Sequence, residues 1–213
     1  MIELFKHILH LDFEWLFSNY GNTVYVILFL VIFIETGLVI MPFLPGDSLL
    51  FTAGLFAHKG YLELSTIMLL LFVAAVLGDN VNYWLGRKIG LRFLHLKFRG
   101  KQLVKEEYIS KTHEFFEKYG TKAIILARFV PIVRTFAPFV AGIAKMEYKR
   151  FVSFDIMGGA IWIGSLTLAG YFLGGFDIVS NNIEKVAILI VLISVAPVAF
   201  EAIKAQRNKK KHA

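Results

Sequence analysis

The chain has no cysteine and few charged residues for its length. With Cys 0, disulfide bonds, cysteine-ligated metal sites and thiol catalysis are all excluded. Charged residues make up 18% of the 213 positions, against roughly 25% in soluble domains. Hydrophobic residues make up 57%, and phenylalanine alone accounts for 21 positions. Because a soluble domain of this size could not bury so many apolar side chains, the composition predicts a chain embedded in a lipid bilayer.

Acidic residues are also fewer than basic ones, and the basic residues are clustered. The formal net charge is +7. The segment from Arg87 to Lys122 contains ten Lys or Arg residues and four Glu residues. The segment from Lys204 to Lys211 contains five basic residues and no acidic residue. Basic clusters beside apolar segments are typical of cytoplasmic loops. We therefore expect the basic residues to lie at the cytoplasmic membrane surface and not to bind nucleic acid. Residues 204–213 are expected to form a basic cytoplasmic tail.

Five apolar stretches follow a short N-terminal segment. Residues 1–20 place apolar side chains at three- and four-residue spacing, which predicts an amphipathic interfacial helix or, alternatively, the start of the first membrane helix. A membrane span needs about 20 apolar residues, so the second, fourth and fifth stretches predict transmembrane helices. Proline and charge interrupt the first and third stretches. The five stretches are residues 23–57, 65–86, 122–144, 151–175 and 185–203.

The charge of the connecting loops predicts that the third stretch does not cross the membrane. If residues 87–122 and the C-terminal tail are cytoplasmic, residues 145–150 must also be cytoplasmic, because the fourth and fifth stretches each cross once. The third stretch then begins and ends on one side, as a re-entrant hairpin. We expect its chain to turn between Pro131 and Pro138. The first stretch has comparable hairpin breaks at Pro42, Pro45 and Gly46.

Short motifs recur 88 residues apart and predict an inverted repeat. Residues 51–54, Phe-Thr-Ala-Gly, are followed by Phe-Val-Ala-Gly at residues 139–142. The two copies are expected on opposite sides of the membrane, an arrangement common among secondary transporters. We therefore predict an all-α polytopic membrane protein with two opposed re-entrant helical hairpins. A single membrane domain would cover residues 21–203, with repeat one at about 21–90, repeat two at about 119–178 and a final helix at 185–203.

Four charged residues interrupt the two broken stretches. A charge at the centre of a membrane helix costs at least about 2.5–3.5 kcal/mol, so Glu35, Asp47, Arg128 and Arg134 are expected to pair or to serve a function. One interpretation is a pair of structural ion pairs. The other is a substrate site, in which the two arginines bind an anion such as phosphate and the two carboxylates couple protons. Both interpretations hold if each arginine pairs with a carboxylate in the empty state and with the phosphate of the ligand in the loaded state.

Two further acids lie within the apolar stretches, and the sequence lacks the motifs of common enzymes. Asp79 precedes the end of the second apolar stretch, and a helix-end position is favoured over a proton path. Asp155 is expected near the inner mouth, where capping outweighs a proton role, so both are secondary candidates. The sequence has no Walker loop, zinc motif or clustered Ser, His and Asp. We therefore expect a transporter, not an enzyme, with neither metal nor cofactor.

A set of motifs resembles the DedA family of bacterial inner-membrane proteins, also called the SNARE-associated or VTT-domain group. The resemblance runs from about residue 20 to residue 174. Many relatives have Asn at the position of Asp155. The matching residues are Glu35-Thr-Gly-Leu, Pro42-Phe-Leu-Pro-Gly-Asp47, Gly78-Asp79 with Tyr83 and Gly86, Ala127-Arg128-Phe129 with Pro131 and Arg134, Ala141-Gly142, Met146, Phe151, Gly158 and Trp162.

The resemblance implies a function that composition alone does not give. Family members are implicated in moving phospholipids or undecaprenyl phosphate between leaflets, in proton-motive-force dependence and in envelope integrity. Their essential acidic and basic positions match Glu35, Asp47, Arg128 and Arg134. We expect a flippase for a lipid phosphate, with membrane lipids and protons as its other partners. The alternatives are a proton-coupled exporter of small cations or drugs, and a non-transporting envelope scaffold.

Overall fold

The computed structural model describes residues 13–38, 46–94, 97–98, 101–102, 106–182, 185–186 and 189–190. The described part of the chain is helical, as predicted, apart from one two-residue antiparallel pair, β1 (Lys97–Phe98) with β2 (Lys101–Gln102). A 3₁₀ turn, Gly120–Lys122, precedes α5. The helices are α1 (Phe13–Gly37), α2 (Gly46–His58), α3 (Leu64–Leu94), α4 (Glu106–Tyr119), α5 (Ala123–Ala127), α6 (Pro131–Ile143), α7 (Tyr148–Leu173) and α8 (Asp177–Ser180).

Three of these helices are long and apolar enough to cross a membrane. Their apolar segments are Tyr20–Gly37, Leu64–Gly90 and Tyr148–Leu173. The last two correspond to the second and fourth apolar stretches. The first begins three residues before the broken first stretch and overlaps it, so that stretch contains most of a full-length span and the separate helix α2. Of the predicted final helix at 185–203, residues 185–186 and 189–190 are described and are helical, and the rest lies outside the described residues, as do residues 1–12 of the N-terminal segment.

Local sequence explains where these helices bend and begin. Helix α1 is kinked at Tyr20, whose backbone dihedrals (φ −130°, ψ 18°) are non-helical. Helix α6 begins at Pro131, a position where proline is tolerated because its missing N–H would have no helical partner. The third stretch is therefore interrupted between two helices at residues 128–130, ahead of Pro131. The predicted turn between Pro131 and Pro138 is wrong, because both prolines lie in the continuous helix α6.

The chain packs as two compact units, each assembled from separate segments. The terminal unit takes the described residues within Met1–Val26, Phe43–Ile67 and Leu166–Ala213, and the central unit takes those within Ile27–Pro42 and Met68–Ser165. Each unit thus combines parts of both predicted repeats.

Glycines bring helices into close contact within each unit. In the terminal unit, a Cβ added to Gly54 of α2 would lie 2.0 Å from the carbonyl oxygen of Thr167 on α7. In the central unit, a Cβ added to Gly142 of α6 would lie 2.1 Å from the carbonyl oxygen of Tyr83 on α3. Both contacts are with backbone, so neither position accepts a side chain without separating two helices. Gly54 and Gly142 are the equivalent glycines of the 88-residue motif.

Candidate functional site

Five charged side chains are buried together in the central unit. Three belong to acids and two to arginines, and each of these residues is at most 8% exposed as a whole. They come from helices α1, α3, α6 and α7 and from the turn between α5 and α6. The five residues, called the buried charge cluster below, are Glu35, Asp79, Arg128, Arg134 and Asp155.

Arg128 is bound by two aspartates. Its Nη2 donates to Oδ2 of Asp79 at 2.5 Å and to Oδ1 of Asp155 at 2.6 Å. Asp79 lies near the middle of α3, so the helix-end interpretation is wrong. The reason is that the helix continues to Leu94, well past the apolar stretch that ends at residue 86. Asp155 lies on α7 and is 1% exposed.

Two glycines make room for the Arg128 side chain. A Cβ added to Gly158 of α7 would lie 3.2 Å from Cδ and 3.3 Å from Nε of Arg128. A Cβ added to Gly159 would lie 3.5 Å from Nη2. The guanidinium therefore lies along the α7 backbone, one turn beyond Asp155.

Arg134 is paired with the third acid of the cluster. Its Nη2 donates to Oε1 of Glu35 at 2.8 Å, and the two side chains are 9% and 2% exposed. This contact joins α6 to α1. The pairing of an arginine from the third stretch with a carboxylate from the first agrees with one of the two interpretations of these charges.

Both arginines also contact one buried tryptophan. The Cζ atom of Arg128 lies 5.7 Å from the centroid of the Trp162 ring, and that of Arg134 lies 4.7 Å from it. Trp162 is 1% exposed. Its burial between two cations could not be read from the sequence, although it is one of the family-matching positions.

Backbone and amide contacts fix the helices that carry the cluster. The Asn82 amide donates to the carbonyl oxygens of Thr36 at 3.0 Å and Thr135 at 2.9 Å, which ties α3 to α1 and α6. A Cβ added to Gly78 would lie 2.0 Å from Oγ1 of Thr36 and 2.8 Å from the Phe33 carbonyl oxygen. Glu35 and Asp79 are thus each next to a close contact between α1 and α3.

The remaining predicted site residues fall elsewhere or outside the described part. Asp47 belongs to the terminal unit, where it lies in the first turn of α2 and is partly buried. Gly46 begins α2. Pro42 and Pro45 lie outside the described residues. Among the residues that the structure describes, no group of His, Cys, Asp and Glu side chains could hold a metal ion.

The central unit also has an apolar groove on the surface of α1 and α3. Its volume is about 510 Å³. Trp84 and Lys88 both line it, and the Lys88 ammonium is 5.7 Å from the centroid of the Trp84 ring. The lining residues are Phe33, Leu77, Asn80, Val81, Trp84, Leu85, Lys88 and Ile89.

Comparison with known proteins places the chain in a family. A VTT domain covers residues 44–172. Protein DedA of Escherichia coli is 44% identical over 208 residues, which cover 96% of this chain and 94% of that protein. The chain belongs to the DedA family.

Other members of the DedA family are similar over most of the chain. An uncharacterized membrane protein of Mycobacterium tuberculosis is 42% identical over 92% of this chain and 87% of its own length. Inner membrane protein YqjA of Escherichia coli is 34% identical over 89% of this chain and 86% of its own length. No solved structure matches the chain. Together with three apolar helices of spanning length, these relatives identify a membrane protein.

Proposed function

We propose that this protein is a transporter, not an enzyme, that moves a lipid phosphate between the leaflets of the bacterial inner membrane. The cargo would be undecaprenyl phosphate or a phospholipid, and the proton-motive force would drive its movement in support of envelope integrity. The observation that carries the proposal is that two buried guanidinium groups converge on Trp162, each held by carboxylates. A guanidinium binds phosphate with the same forked donors that it offers to a carboxylate.

The Arg134–Glu35 pair is the proposed point of exchange. It contains one acid and one base, so a phosphate that replaces Glu35 leaves the arginine neutralised. The displaced Glu35 would then be a buried carboxylate without its cation, a state that favours protonation. Phosphate binding would therefore be linked to proton uptake. We assign Asp47, on α2 of the terminal unit, as a second proton-coupling carboxylate.

The architecture that we propose for this transporter is an inverted repeat with two opposed re-entrant hairpins and a cytoplasmic C-terminus. Helix α2 of repeat one packs through Gly54 on the end of α7, which belongs to repeat two. Helix α6 of repeat two packs through Gly142 on α3, which belongs to repeat one. At about 1.5 Å per residue, the 13 residues of α2 or α6 reach about 20 Å, less than the roughly 30 Å core of a bilayer.

The groove on α1 and α3 is the proposed site for one hydrocarbon chain of the lipid. Its walls are aliphatic and aromatic, and Lys88 would attract an anionic head group. Trp84 beside Lys88 is a combination typical of the membrane interface.

Leaflet exchange in liposomes tests the proposal. Labelled undecaprenyl phosphate and phosphatidylethanolamine would be followed separately, with and without an imposed proton gradient. Arg134→Lys keeps the charge but removes the forked donor, so we expect most exchange to be lost. Arg150→Lys is the matched control, because the Arg150 side chain is 68% exposed and outside the cluster. Full exchange by Arg134→Lys would contradict a phosphate site built on that guanidinium.

One observation favours a second candidate, a proton-coupled exporter of small cations or drugs. The buried charge cluster contains three carboxylates and only two guanidiniums, so it has an excess of anionic groups. In that case Glu35 would bind the cargo and Arg134 would be structural. Export of a labelled cation that survives Arg134→Lys but not Glu35→Gln would support this function. Envelope function retained after neutralising Glu35, Asp47, Arg128 and Arg134 together would instead support a scaffold.

A further inference from the structure

The buried charge cluster is not electrically balanced when all its groups are ionised. Glu35 and Arg134 neutralise one another. Arg128 carries one positive charge and binds two aspartates, so this part of the cluster would have a net charge of −1. The three side chains are at most 5% exposed. An uncompensated charge at such a position is strongly unfavourable, and such groups bind a proton instead.

The geometry brings the two aspartates within reach of a common proton. One nitrogen, Nη2 of Arg128, bonds an oxygen of each carboxyl group. The two carboxyl groups also lie within hydrogen-bonding reach of one another. Two ionised carboxylates have no hydrogen to share, so a bond between them requires one proton. Among the described residues, Oδ2 of Asp155 has no hydrogen-bond partner, which leaves an acceptor or protonation site in the cluster.

We infer that Asp79, Arg128 and Asp155 form a binding site for one exchangeable proton, held between the two aspartates. Among the described residues, the charged groups that face this pair are Arg128 from the α5–α6 turn and Arg134 from α6, with Glu35 of α1 bound to Arg134. None of these offers a second positive charge to the pair, because Arg134 is matched by Glu35. The proton supplies the missing charge.

The proton site controls whether the cluster can stay buried. With the proton bound, the cluster is neutral and stable away from water. Loss of the proton leaves one negative charge, which is stabilised only if water or a cation reaches it. Protonation therefore favours the closed arrangement seen here, and deprotonation favours an arrangement that opens the cluster to water. This inference concerns the proton and is independent of the cargo proposed for Arg134.

Infrared difference spectroscopy on the purified protein in lipid tests this site directly, without any transport substrate. The difference is taken between spectra recorded in ordinary and in heavy water. A protonated carboxyl group has a carbonyl stretching band that shifts in heavy water, whereas a carboxylate does not. At neutral pH we expect this band with an intensity equal to one carboxyl group per chain. Asp155→Asn and Asp79→Asn each leave one acid for one arginine, so each is expected to lose the band completely.

Glu147→Gln is the control, because it removes an exposed carboxylate outside the cluster and is expected to keep the band. If Asp79→Asn does not fold, Asp155→Asn alone decides the outcome. Absence of the band from the unmodified protein, or its persistence in Asp155→Asn, would overturn the inference. A failure to transport lipid phosphate in liposomes would leave the band unchanged, so the two proposals fail separately.

Discussion

Breaking the Arg134–Glu35 pair gives the sharpest test of how the central unit is held together. The two side chains are 9% and 2% exposed, and their bonded atoms are 2.8 Å apart. At an effective dielectric constant of about 20, Coulomb's law gives an attraction of about 6 kcal/mol at this distance, most of which offsets desolvation. Removing one partner of a buried pair leaves the other uncompensated, at a cost of about 3–5 kcal/mol.

A double-mutant cycle measures this coupling. We expect Glu35→Gln and Arg134→Gln each to lower the free energy of unfolding by about 3–5 kcal/mol. The double variant buries two neutral amides that can bond to each other, so it should be less destabilised than either single variant. The assay is reversible unfolding in mixed micelles, with all four proteins measured under identical conditions.

An exposed ion pair on the same chain provides the control cycle. Arg150 and Glu147 are 3.3 Å apart, but their side chains are 68% and 60% exposed. Solvent screens such pairs, so the same cycle should give a coupling energy below about 1 kcal/mol. If the Glu35 and Arg134 effects are additive to within about 0.5 kcal/mol, the two residues are not energetically paired and the reasoning fails.

Three further predictions follow from local contacts and from loop charge. Gly142→Ala would place a methyl group 2.1 Å from a backbone oxygen of Tyr83, so it should destabilise the protein strongly in thermal unfolding, whereas Gly164→Ala, with open space around it, should not. Ser65 and Thr66 donate hydrogen bonds to the Glu63 carboxylate and lower its pKa. The stabilisation should therefore be complete above the unfolded-state pKa of about 4.3 and be lost as pH falls through the lower folded-state pKa, so the difference in melting temperature between wild type and Glu63→Gln should vanish at low pH. Cysteines introduced at Gly100 and Glu147 should both resist an impermeant thiol reagent in intact cells, because both loops are basic; labelling of Glu147→Cys from outside would exclude the second hairpin.

The long helices were predictable because hydropathy determines them. The second and fourth apolar stretches appear as α3 and α7. The span Tyr20–Gly37 was not predicted, although it is apolar enough, because Glu35 and the prolines that follow it made residues 23–57 resemble a single broken stretch. Once paired with Arg134, that charge is compatible with a membrane helix, so the interruption reflects a tertiary contact that no local pattern encodes.

Helix boundaries were less predictable than helix existence, for two physical reasons. The α3 backbone continues through polar residues to Leu94, since helical hydrogen bonds do not depend on apolar side chains. Whether a proline interrupts a helix depends on its position in that helix. Pro131 begins a helix, where it costs little, whereas Pro138 lies inside the same helix.

Most charged residues of the candidate site could be predicted from the sequence, but the ion pairs that they form could not. The insertion cost of charge identified Glu35, Arg128 and Arg134 from the sequence. The partners of Arg128 are 49 and 27 residues away along the chain, and no periodicity relates them. Asp79 and Asp155 therefore ranked as secondary candidates until the packing of α3 and α7 brought both to one guanidinium.

The pairing makes the two arginines chemically different, although the sequence presents them alike. Arg128 is 3% exposed, bonds two carboxylates and lies against the backbone of α7, so an incoming anion would have to displace two acids. Arg134 is 8% exposed and forms an ion pair with Glu35. Exchange of the Glu35 carboxylate for a phosphate of the same charge would leave Arg134 neutralised. We therefore propose a division of roles, in which Arg134 exchanges its anion and Arg128 holds the two aspartates that share the proton. Trp162 contacts both cations, so a movement of either guanidinium changes the surroundings of the other.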